Sequence, residues 1–87
     1  MHCRVYTAEI ARALTARRHI NSQVGAAWRA GFRASQASPT TARVWHDGPD
    51  EQQYLDQYAT VLQAAGYTVN LERPARKRPS IRITRQN

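Results

Sequence analysis

The 87-residue sequence predicts an α+β domain: an αββαββ chain forming a four-stranded antiparallel sheet with two helices packed on one face. Three observations carry that prediction. Two segments repeat apolar residues at helical spacing, and four segments alternate apolar and polar residues at period two. These segments also occur in the same order in both halves, with GFRAS (31–35) and ARVWH (42–46) answered by GYTVN (66–70) and SIRIT (80–84).

The first helix is expected over 7–18, with Thr7 as its cap and Ile10, Ala11 and Leu14 on the inner face. The run VGAAWRAG (24–31) fits a helical turn, an extra strand or a loop equally well. Phe32 and Ala34 then alternate with Arg33 and Ser35, Ser38-Pro39-Thr40 supplies a turn, and Ala42, Val44 and His46 alternate with Arg43, Trp45 and Asp47. The second helix is expected over 49–65. Asp47 or Gly48 caps it, Pro49 takes its first position, and Asp50 and Glu51 face the positive end of its dipole. Leu55, Tyr58, Leu62 and Ala65 form its stripe. Gly66 is the left-handed stop, and Tyr67 folds back on the last turn. Tyr67, Val69 and Leu71 alternate with Thr68, Asn70 and Glu72, and Ile81 and Ile83 alternate with Arg82 and Thr84. PARKRP (74–79) joins these strands as a charged hairpin.

The run VWHDG, then YATVLQAAGYTV and a short basic C-terminal strand, resembles small uncharacterised basic proteins of actinobacterial genomes and their phages or plasmids. The shared residues are structural punctuation, so the resemblance implies a fold and a mobile-element setting and carries over no functional residue.

Length and composition restrict the function. Eighty-seven residues make one domain over 1–87, with frayed ends expected at 1–5 and 86–87. The single cysteine, Cys3, excludes a disulfide scaffold, and no run of about 18 apolar residues could span a membrane. The first residues lack a secretory pattern, so the expected location is the cytoplasm. Charge is arranged in blocks. Seven Arg face one acid up to His46, five acids stand without a cation from Asp47 to Glu72, and six cations stand without an acid from Arg73 onward. The net charge is +7, and twelve of the thirteen cations are Arg, the side chain suited to bidentate contact with phosphate.

Period two would place Phe32, Ala34, Val44, Val69, Leu71, Ile81 and Ile83 toward the helices. Arg33, Ser35, Arg43, Trp45, Thr68, Asn70, Arg82 and Thr84 then fall on a face the chain has nothing left to cover. The expected function is a non-enzymatic, nucleic-acid-binding accessory or regulatory protein. Its candidate contacts are Arg33, Arg43, Trp45, Arg73, Arg76, Lys77, Arg78, Arg82 and Arg85: cations meet phosphates and the indole stacks a base.

Two alternatives stand beside it. One is a protein-interaction module, either a homodimer or a phage-type inhibitor docking a protein through the sheet face, and a basic hairpin could also meet the acidic helix of a second copy. The other is a small ribonuclease using His46 or His19. Adjacent His46 and Asp47 point to opposite faces, Tyr54 and Tyr58 read as core, and His2 with Cys3 falls short of a metal site. No cofactor motif, glycine-rich phosphate loop or small-molecule substrate site is evident.

Overall fold

The computed structural model describes residues 3–23 and 29–85. The elements are α1 (Thr7–Ala16), β1 (Gly31–Ser38), β2 (Thr41–Asp47), α2 (Glu51–Ala64), β3 (Thr68–Glu72) and β4 (Ser80–Thr84). The sheet is antiparallel throughout, in the order β1-β2-β4-β3, so β2 and β4 are central and β1 and β3 are edges. The expected α+β architecture is the observed one. Residues 24–28, with Trp28, lie outside the described residues, as do 1–2 and 86–87.

The core forms because the inner positions of both periodicities meet. Ile10 and Leu14 from α1, and Leu55, Tyr58 and Leu62 from α2, join Phe32, Ala42, Val44, Ile81 and Ile83 from the sheet in one buried cluster. α2 lies across β2, β3 and β4, while α1 packs on β1 and on α2. Leu71 departs from expectation: it has the inward parity but is 45% exposed, because β3 is an edge strand that α2 only partly roofs. Among the described residues, no helix is long and apolar enough to cross a membrane.

Both helices end in the same way. At α2, Tyr67 N–H bonds the Leu62 carbonyl (3.0 Å) and Gly66 N–H bonds Gln63 (3.0 Å), with Gly66 at φ 99°, as expected of a glycine stop. At α1, His19 N–H bonds Leu14 (3.1 Å) and Arg18 N–H bonds Thr15 (2.9 Å), but the left-handed position belongs to Arg18 at φ 67°. That arginine halts the helix at Ala16, two residues before the expected Arg18.

The helix starts differ from the local signals. Thr7 is inside α1 and is not its cap; its N–H is met by Gln36 Oε1 of β1 at 3.3 Å. The Gln36 amide also donates to Val5 O at 2.7 Å and to Ser38 O at 2.5 Å. Pro49 is not the first residue of α2, which begins at Glu51 after Asp50 in a left-handed conformation. The Pro49 carbonyl is instead the partner of buried His46 (3.1 Å to Nε2), and this contact holds 46–50 in a turn. Of the segment 1–5 expected to fray, the described residues 3–5 are held. Cys3 N–H bonds Arg85 O at 2.8 Å, Val5 N–H bonds Pro39 O at 3.0 Å, and the Val5 side chain is buried.

Candidate nucleic-acid interface

The outer sheet face is a product of register. Arg43 of β2 stands opposite Arg82 of β4, which in turn stands opposite Asn70 of β3, and Ser35 of β1 completes the row. Like charges directly across a ladder are destabilising, so this central Arg pair needs a counter-charge. Arg43 finds one by reaching across β4, where its Nε donates to Glu72 Oε1 at 3.0 Å. Arg82 finds none among the described residues.

Beside this row sits Trp45, half-buried. The guanidinium carbon of its β1 partner Arg33 lies 5.0 Å from the indole centroid, and Arg33 Nε is 3.5 Å from Asp47 Oδ2. On the other side of the indole, a groove of about 640 Å³ opens toward β4 and the β3–β4 hairpin. Arg43, Trp45, Glu72, Arg73, Lys77 and Arg78 are among its lining residues, and Ser80, 4% exposed, lies at its base.

The hairpin cations divide into two kinds. Arg73, Arg76 and Lys77 are exposed and make no side-chain ion pair or hydrogen bond among the described residues. Arg78 is committed: it donates to Asp47 Oδ1 at 2.9 Å, to Glu51 Oε2 at 3.2 Å and to the His46 carbonyl. These acceptors, Asp47 foremost, hold its pKa above the ordinary arginine value. Arg78 therefore clamps the hairpin base to the end of β2 and the start of α2, where a free phosphate contact was expected. Burial alone would raise the Asp47 pKa, but hydrogen bonds from Ser22 (2.8 Å) and Arg78 and the charges of Arg33 and Arg78 bring it below the usual value. Asp47 is the anchor of this clamp, and it caps no helix.

Arg85 does not lie on the outer sheet face. It shares the parity of Ile81 and Ile83, so it points to the helix side, where its guanidinium lies 5.7 Å from the Tyr67 ring centre and 3.9 Å from Glu9. The structure therefore brings together Arg33, Arg43, Trp45, Arg73, Lys77, Arg78 and Arg82 around one face. Arg76 sits at the hairpin tip, and Arg85 is excluded. Sequence reasoning missed the part played by Glu72. Its signal was its parity with Thr68 and Asn70, which places it on the outer face immediately before the basic run.

His46 lies beneath the opposite face, 1% exposed and stacked on Tyr54 with ring centroids 4.2 Å apart. The Pro49 carbonyl can only accept, so a neutral His46 carries its hydrogen on Nε2 and takes a hydrogen bond from the Tyr58 hydroxyl on Nδ1 (2.7 Å). Burial, with the nearby Tyr54 and Asp47, pushes the Tyr58 hydroxyl pKa well above its ordinary value. His19 packs edge-on against Tyr58, and its pKa is lowered by burial and then by His46. No group of three His, Cys, Asp or Glu side chains among the described residues could hold a metal. Compared with protein-family models, curated proteins and solved structures, the chain gives no match, and its fold and surface chemistry stand on their own.

Proposed function

We propose that this chain is a non-enzymatic, nucleic-acid-binding accessory or regulatory protein that works through its outer sheet face and β3–β4 hairpin. One observation carries the reading: Arg43 and Arg82 oppose each other on the two central strands, on the face away from α1 and α2, with Arg73 and Lys77 on the wall of the adjoining groove. A polyanion supplies the counter-charge that Arg82, Arg73 and Lys77 lack among the described residues, Arg43 alone of the four being paired, with Glu72. Both ring nitrogens of His46 are engaged by Tyr58 and Pro49, which favours binding over acid–base cleavage by that residue. The cytoplasm suits a chain whose one cysteine is Cys3. An actinobacterial or phage setting rests on the VWHDG and AAGY punctuation.

The test is direct. The purified protein should co-elute with nucleic acid that about 1 M salt removes, and should bind labelled oligonucleotides at low salt. Protein that is free of nucleic acid and ignores every oligonucleotide refutes the reading. A second reading, pairing with another copy, is favoured by exposed Leu71 beside the open edge of β3. It requires a salt-resistant dimer that Leu71→Lys dissociates.

A further inference from the structure

The geometry points to an unpaired base as the occupant of the groove, stacked on Trp45 with its amino edge accepted by Glu72; this inference rests on the nucleic-acid reading above. Trp45 is recessed rather than proud of the surface, since Arg33 packs on it from the β1 side and the groove walls rise on the other. A base inside a duplex keeps both faces against its neighbours and cannot reach a recessed indole, whereas a single strand can turn one base into it. The surrounding cations fit the flanking phosphates. Arg73 and Lys77 stand on the hairpin wall, and Arg82 stands free on the sheet.

Glu72 is the residue a plain phosphate site would not have. A carboxylate repels phosphate, yet this one lines the groove among cations, half-buried and held by Arg43 through Oε1. Its Oε2 accepts no hydrogen bond among the described residues. A carboxylate beside a stacking platform accepts from an exocyclic amino group, such as cytosine N4, and repels the carbonyl that thymine presents at the same place. The groove thus selects for strand state through Trp45 and for base through Glu72, while the hairpin cations contribute affinity without regard to sequence.

The experiment uses the full chain carrying Trp28→Phe, which leaves Trp45 as its one indole, with labelled oligodeoxycytidine, oligothymidine and a mixed-sequence duplex, each about 15 long. The expected result is about tenfold tighter binding of oligodeoxycytidine than of duplex, with Trp45 emission quenched at saturation. Oligodeoxycytidine should also exceed oligothymidine by about fivefold, and Glu72→Gln should bring the two within about twofold while binding persists. Trp45→Phe, milder than Trp45→Ala if the latter unfolds the sheet, should weaken binding of single strands by a larger factor than binding of duplex. Equal affinity for duplex, unquenched emission, or a cytosine preference that survives Glu72→Gln would each overturn the inference while sparing the broader function. Failure to bind any of the three would remove the broader function itself.

Discussion

The salt dependence of binding separates the cations that meet phosphate from those occupied within the fold. Arg73, Arg76, Lys77 and Arg82 hold no anion among the described residues, whereas Arg33, Arg43 and Arg78 do. If each of the four free cations neutralises one phosphate of a single strand, the slope of log K against log salt is about −2.8. Raising the salt from about 50 to about 200 mM should then weaken binding about fiftyfold. The triple variant Arg73→Ala, Arg76→Ala, Lys77→Ala leaves one such contact, a slope of about −0.7 and less than about a threefold loss over the same range. Fluorescence anisotropy titrations at four or five salt concentrations measure both slopes. A variant slope equal to that of the parent, with the fold intact by circular dichroism, would show that the hairpin does not touch phosphate.

Three substitutions and one titration test the remaining physical claims. Arg78→Ala breaks the clamp to Asp47 and Glu51. With the arginine nearly half exposed and its pairs screened by solvent, the change should cost about 0.5–1 kcal/mol and lower the melting temperature by a few degrees; an unchanged melting temperature would return Arg78 to the free cations. Tyr58→Phe leaves the buried His46 Nδ1 without its donor and should cost about 1–3 kcal/mol in urea unfolding, a prediction that fails if the midpoint stays put. Arg18→Gly relieves a left-handed non-glycine position and should stabilise by about 0.5–1 kcal/mol, whereas a loss would mean that the arginine side chain makes a contact worth more than the strain. His19 titrates below the ordinary histidine value, so the folded chain binds fewer protons there than the unfolded chain does. Stability should therefore be flat above about pH 7 and decline as pH falls through about 6.5, and the decline should be shallower in His19→Gln; parallel profiles would contradict it.

Most of the architecture was legible because it depends on local repetition. The stripe Leu55, Tyr58, Leu62 lies within one helix and the Gly66 stop just beyond its end, and strand alternation put Val44, Ile81 and Ile83 inside without reference to distant residues. Two features that failed, at Thr7 and Arg78, depend on partners far along the chain, and a third, at Pro49, on a near neighbour that the fold buries. Thr7 has the chemistry of a cap, but Gln36, 29 residues later, makes the bond. Pro49 has the chemistry of a first helical residue, but a buried histidine claims its carbonyl. Arg78 reads as one more hairpin cation until folding brings it to Asp47, 31 residues earlier. Arg85 is a different case: its parity with Ile81 and Ile83 was visible, and a charge count alone placed it with the hairpin.

The Gln36 side chain has a consequence for how this chain acquires order. A ten-residue helix is too short to persist by itself in water, and α1 has no side-chain cap of its own. The amide that closes its first turn arrives only when β1 and β2 have zipped together and turned Gln36 toward Val5 and Thr7. Helix α1 is thus among the segments that must wait, and its helicity is a readout of whether the β1–β2 hairpin has formed.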